Sequence, residues 1–194
     1  MSHACVEVTG IDGAGKSTLV RHLGSHLGWA TRKVRPFDPV AVERDRLVHA
    51  GLGEAAADAF RGCLLAGALL HEAARLDGPA VFDRYLESAR MWWAVKEVAP
   101  LAAAVVDALP APSAVLFIDV PVEVGLSRRL DSTERDACSE WEFLAGCRAY
   151  LRRRAATSPR WAILDGTASA TEVARRAAAA VDTVLAGASQ AAER

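Results

Sequence analysis

Gly10-Ile11-Asp12-Gly13-Ala14-Gly15-Lys16-Ser17 follows directly on the short run Cys5-Val6-Glu7-Val8-Thr9, and reading this stretch decides the fold. The eight residues fit G-x-x-x-x-G-K-[ST], the spacing of a phosphate-binding loop. Glycines let the backbone curl so that successive N–H groups point inward at phosphate oxygens. Lys16 supplies a point charge for terminal phosphates. Ser17 offers a hydroxyl to Mg²⁺, and the helix opening there adds its positive dipole end. A strand must precede such a loop and a helix must follow. Val6 and Val8 read as the strand, while Leu19, Val20, Leu23 and Leu27 recur at helical spacing. Only three of the 23 basic residues are lysine, which argues against Lys16 as surface decoration.

Working outward, strands and helices alternate. The pattern predicts strands over 30–36, 79–83, 113–120 and 161–164, and helices over 54–76, 86–109 (interrupted before Pro100), 123–130 and 140–156. The strand over 113–120 is nearly all apolar, as expected of a strand covered on both faces. Ser169-Ala170-Thr171-Glu172 reads as a capping box opening the last helix. The expectation is a three-layer α/β fold: a five-stranded parallel sheet with helices on both faces. A single domain spans 1–187, with residues 188–194 as a flexible tail.

Bulk composition excludes several classes. At 194 residues the chain suits one domain with a sizeable core. A net charge of −1 gives no field for nucleic acid. The most apolar region, 101–126, is broken by Asp107, Pro110, Pro112, Asp119, Pro121 and Glu123 and cannot span a bilayer. There is no secretory signal pattern, and the four cysteines form no C-x-x-C, so a cytoplasmic location is expected. The chain has no asparagine, so the Asn-Lys-x-Asp element of a GTP switch is absent. The histidines show no metal-binding spacing.

Two clusters outside the loop carry chemistry. Asp83-Arg84-Tyr85 ends a strand, where ligands of open parallel sheets bind. The Asp can hold Mg²⁺ or take a proton and the Arg can clamp a phosphate, or the two form only an ion pair. The arginine-bearing segment 127–136 is either a solvated turn or a flap that covers transferring phosphates.

Val6 to Thr18, Asp83-Arg84-Tyr85 with Ser88, the arginine segment running into Glu134-Arg135-Asp136-Ala137, Tyr150, and Leu164-Asp165-Gly166-Thr167 together resemble the thymidylate kinases, P-loop nucleoside monophosphate kinases, over nearly the whole chain. The resemblance implies a kinase using ATP and Mg²⁺ on a small-molecule acceptor, dTMP or a related nucleotide, and a homodimer. It implies that Asp12, Gly13, Ala14, Gly15, Lys16, Ser17 and Thr18 hold ATP phosphates, with Ser17 and Asp83 on Mg²⁺. Lys16, Asp83, Arg84, Arg128 and Arg135 serve catalysis, the last two from a lid at about 128–139. Asp165, Gly166 and Thr167 line the adenine pocket, and Arg128 also contacts the cofactor from the lid. On the acceptor side stand Asp12, Phe37, Asp38, Arg84, Ser88 and Trp92.

That acceptor side departs from the family. Where the family has Phe-Pro-Arg after the second strand, this chain reads Arg35-Pro36-Phe37-Asp38-Pro39. Where it has an Asp-Arg pair in the third helix, Leu64 to Leu70 holds no arginine. Ala89 and Trp92 replace its Asn and Tyr. Deoxynucleoside kinases carry an acidic residue before proline at this point, and Asp38-Pro39-Val40 is similar. Asp38 is thus either a helix N-cap or a general base, and with Asp83 it opens an alternative in which a hydroxyl of a nucleoside or other small molecule is phosphorylated. Of the adjacent Trp92 and Trp93, one can face the core and the other the acceptor pocket, or both are core.

Overall fold

A computed structural model describes residues 4–34, 50, 51, 53–98, 107–128 and 137–192, with side chains from 140 to 186 in the last stretch. In chain order the elements are β1 (Cys5–Thr9), α1 (Lys16–Leu27), β2 (Ala30–Lys33), α2 (Gly53–Ala74), β3 (Ala80–Asp83), α3 (Leu86–Val95), β4 (Ala114–Asp119), α4 (Val122–Ser127), α5 (Ala137–Ala155), β5 (Trp161–Asp165) and α6 (Ala170–Ala192).

The five strands form one sheet in the order β2-β3-β1-β4-β5, every pair parallel. Strand alternation sorts the side chains onto two layers of helices. Val6, Val8 and Val81 join Leu19 and Leu23 of α1 and Val173, Ala177 and Val181 of α6 in the larger core. Cys5, Ala80 and Phe82, one residue out of phase, join Ala66 and Leu69 of α2 and Leu86 and Ala89 of α3. Each fully buried side chain of this size contributes roughly 1.5–3 kcal/mol, so one-residue slips of β1 or β3 are strongly disfavoured.

The central strand also buries a charge. Glu7 is 0% exposed. Its carboxylate accepts the backbone N–H groups of Tyr85 (3.0 Å), Glu87 (2.9 Å) and Ser88 (2.8 Å), and the Ser88 hydroxyl (2.8 Å). These are the otherwise unpaired donors at the start of α3. A side chain from another strand thereby caps the helix and fixes the turn that joins it to β3. Burial pushes the Glu7 carboxyl up, while the four donors pull it down.

Some boundaries differ from the sequence pattern. β2 ends at Lys33, and the expected residues Arg35 and Pro36 lie outside the described residues. α3 stops at Val95, well ahead of Pro100, because Glu97 takes the left-handed conformation at φ 52°. The last helix stays helical through Ala192, covering most of the expected tail. Its capping box is half formed. Ser169 Oγ accepts the Glu172 N–H at 3.3 Å, but the Glu172 carboxylate turns to Arg175 and Arg176.

Candidate active site

The sheet order places β1 between β3 and β4, where successive connections turn to opposite sides. In such sheets the ligand crevice opens beyond the carboxyl ends of the strands. The loop after β1 curls with Gly10, Gly13 and Gly15 at φ 150°, 78° and 94°. Gly13 is also pressed by its neighbour: a Cβ there would lie 1.9 Å from the carbonyl oxygen of Gly125 in α4. Gly125 answers in kind, its own Cβ position lying 2.7 Å from the Asp12 carbonyl. The phosphate loop therefore rests on α4 backbone to backbone, and only two glycines allow it.

Lys16 is 7% exposed and donates to the Ile11 carbonyl at 2.6 Å, with Asp12 at 3.8 Å. Burial, and next the positive charge of Arg84, lower its ammonium to about 7. Ser17 Oγ donates to Asp83 Oδ2 at 2.5 Å. Lys33 reaches the same oxygen at 3.0 Å and Ser17 Oγ at 3.4 Å. Burial alone would raise the Asp83 carboxyl; the hydrogen bonds of Ser17 and Lys33 and the charges of Lys33 and Lys16 outweigh it and hold it below its usual value. Asp83 Oδ1 is buried with no hydrogen-bond partner among the described residues. A hydroxyl and a carboxylate with one uncommitted buried oxygen form a hard-oxygen pair that fits Mg²⁺. Among the described residues, no group of three or more His, Cys, Asp or Glu could hold a metal by itself.

Arg84 follows at φ 70°, a left-handed conformation that costs a non-glycine residue about 1–2 kcal/mol. Its N–H donates to the Val8 carbonyl and its guanidinium pairs with Asp12. The strain aims the side chain across the phosphate loop instead of along the strand.

On this side opens a cavity of about 400 Å³. Asp12, Arg84, Tyr85, Ser88, Ala89 and Trp92 line it, joined by residues that the sequence pattern did not single out: Asp58 and Arg61 of α2, Lys96, and Phe143 and Cys147 of α5. The Arg61 guanidinium lies over the Trp92 ring at 5.3 Å. Lys96 pairs with Asp58 at 3.2 Å and sits 5.4 Å from the Phe143 ring centre. Burial pushes the Cys147 thiol up to about 12, so it is no nucleophile at neutral pH. The Tyr85 hydroxyl is buried and unpartnered among the described residues. Leu64 to Leu70 carries no arginine, but the same helix brings Asp58 and Arg61 in from preceding turns. The cavity is therefore not short of cations.

The adjacent tryptophans divide. Trp92 lines the cavity, while Trp93 is 7% exposed in the core. Ser88 lines the cavity too, yet its hydroxyl donates to Glu7 and accepts from Thr9 at 2.9 Å, which makes it a support more than a ligand contact. Phe37, Asp38, Arg135 and most of the expected lid lie outside the described residues.

On the other side of the loop a hollow of about 310 Å³ is lined by Ala14, Gly15, Thr18, His22, Arg128 and Gly166. Arg128 donates to the Gly166 carbonyl at 2.9 Å. Asp165 accepts the Thr167 N–H at 2.9 Å and its hydroxyl at 2.6 Å, forming a closed turn. A Cβ on Gly166 would strike Val120 at 2.4 Å, so glycine is required there.

No protein-family model matches the chain. A thymidylate kinase from Akkermansia muciniphila is 31% identical over 180 residues, covering 86% of this chain and 85% of that protein. The fold matches the structure of deoxyadenosine kinase from M. mycoides with the products dCMP and a flexible dCDP bound, at a TM-score of 0.67 and 15% identity over 93% of this chain and 99% of that one. The same kinase with bound dATP matches at 0.67 and 13% identity, over 93% and 100%. The chain is a nucleotide or nucleoside kinase, and with this extent of similarity it belongs to the thymidylate kinase family.

Proposed function

We propose that the protein transfers the γ-phosphate of ATP, with Mg²⁺, to a nucleoside monophosphate, dTMP or a related nucleotide. The observation that carries this reading is a continuous site. Arg84 and Asp12 belong both to the phosphate loop's surroundings and to an aromatic cavity that also holds Arg61 and Lys96. ATP is assigned to the hollow beside Thr18, Arg128 and Gly166, where Gly166 is carried by the closed turn of Asp165 and Thr167. Lys16 leaves the Ile11 carbonyl for the β- and γ-phosphates. Ser17 and Asp83 hold Mg²⁺, which neutralises charge between the phosphates when bound. Arg84 bridges donor and acceptor, and Arg128 and Arg135 close over them, which excludes water. The protein contributes positioning and electrostatics.

A monophosphate dianion attacks without a general base. A hydroxyl acceptor needs one; of the two candidates Asp38 lies outside the described residues, and Asp83, held below its usual value by Ser17 and Lys33, is a weak base. The family resemblance supports a homodimer. A cytoplasmic setting is supported by cysteines 5, 63 and 147, which are free, and by the absence of a C-x-x-C pair. No helix among the described residues is long and apolar enough to cross a membrane.

ADP release measured against a panel of nucleoside monophosphates and nucleosides tests the proposal. Turnover of dTMP or another monophosphate is expected, with Arg61→Ala raising the acceptor KM about tenfold and leaving the ATP KM unchanged. Turnover of nucleosides without turnover of any monophosphate overturns the reading.

A further inference from the structure

Lys33 lies outside the phosphate loop, and the scheme above gives it no role toward the metal. It ends β2 in register with Asp83 at the end of β3. Its ammonium sits 3.0 Å from Asp83 Oδ2 and 3.4 Å from Ser17 Oγ, while Ser17 Oγ donates to that same oxygen at 2.5 Å. Lys33 therefore stands on the two side chains assigned to the metal. An ammonium this close to the Ser17–Asp83 pair repels a divalent cation that takes the Ser17 hydroxyl and the free Asp83 Oδ1, so the two cations compete for one site.

We propose that Lys33 is a built-in counter-cation of the metal site. It balances the charge of the Asp83 carboxylate and orients Ser17 while the metal is absent, and Mg²⁺ must displace it to enter. Lys33 thus sets the divalent-cation concentration at which the site fills. Lysine suits this role better than arginine. An ammonium is a compact charge on a flexible stem, whereas a guanidinium fork grips a carboxylate through two parallel bonds. The Lys33 side chain is 39% exposed against 4% for Asp83, so it has solvent to swing into while the carboxylate stays. The inference rests on Ser17 and Asp83 holding the metal.

The test is Mn²⁺ binding to nucleotide-free protein, followed by loss of the free-ion EPR signal, for wild type, Lys33→Met, Lys33→Arg and Asp83→Asn. Lys33→Met should bind Mn²⁺ about tenfold more tightly, since one half-exposed competing charge is gone. Lys33→Arg should bind no more tightly than wild type. In EDTA, Lys33→Met should melt below wild type and recover on adding Mn²⁺, a change that nucleotide turnover does not report. Equal affinity in wild type and Lys33→Met, including no measurable binding by either, overturns the proposal. So does tighter binding by Lys33→Arg. If Asp83→Asn loses Mn²⁺ while Lys33→Met matches wild type, the counter-cation role fails and the metal site stands. If Asp83→Asn binds as wild type does, the metal assignment itself fails and this inference goes with it.

Discussion

ATP binding should draw a proton out of solution. In the ligand-free protein Lys16 is buried, and its ammonium is lowered from 10.5 to about 7 by burial first and by Arg84 second, against the opposing pull of Asp12 and Asp83. A group titrating at 7 is only about one-tenth protonated at pH 8. Phosphate oxygens arriving at Nζ restore the charged form. Binding at pH 8 should therefore take up roughly 0.9 proton per site, falling to roughly 0.1 at pH 6. The γ-phosphate's own ionisation, near pH 6, is complete at pH 8 and does not mimic the effect. Isothermal titration calorimetry in buffers of different ionisation enthalpy counts the protons directly. Lys16→Met should erase the uptake at pH 8. No uptake by the wild type, or equal uptake by Lys16→Met, would refute the buried, half-neutral lysine. The same shift acts on stability with a definite sign. Between about pH 7 and 10.5 the unfolded chain binds the proton that the native Lys16 has lost, so this group's contribution to stability rises with pH across that window. Below pH 7 both states are protonated and the cost of burying the charge is constant. Wild-type melting temperature should thus climb from pH 7 to 9 relative to Lys16→Met.

Two further variants probe the scaffold. Glu7→Gln keeps the shape but sets an NH₂ against N–H donors; denaturant unfolding should show a loss of about 2–4 kcal/mol, and a loss under about 0.5 kcal/mol would mean the helix start does not depend on it. Gly125→Ala forces a methyl to within 2.7 Å of the Asp12 carbonyl, so the phosphate loop must shift and ATP affinity should fall at least tenfold, as read by calorimetry. Unchanged affinity would show that the loop does not rest on α4.

How legible the site is in the sequence follows from how each half is built. The donor half is made of backbone. In the proposed scheme phosphate is held by N–H groups of consecutive residues, so Gly10 to Ser17 spells out most of its own geometry; its rest on Gly125 of α4 is the part it does not spell out. The strands β1, β3 and β4 read equally well because each is short and buried, which makes an apolar run diagnostic, whereas the edge strand β2 is mostly exposed and its end is less legible. The capping of α3 was not legible, because its acceptor, Glu7, lies 78 residues before the first donor and looks like a polar interruption of a strand. Its signal was the mismatch itself: a carboxylate in the middle of a run otherwise fit for the centre of a sheet must have buried donors.

The acceptor half is built from side chains on three helices, so no contiguous stretch encodes it. Arg61 reaches the cavity from an earlier turn of α2 than Leu64 to Leu70, the stretch where the family carries its arginine, and covers Trp92. Yet a usable signal was present. The chain holds only three lysines, Lys16, Lys33 and Lys96. Lysine scarcity singled out Lys16 as more than surface charge, and it applies with equal force to the others. Lys33 sits on the Ser17–Asp83 pair and Lys96 lines the acceptor cavity against Asp58. In a chain that meets its surface needs with arginine, the three ammonium groups stand on the Ile11 carbonyl, on the Ser17–Asp83 pair and in the cavity beside Asp58, where the proposed scheme asks a compact, mobile cation to move.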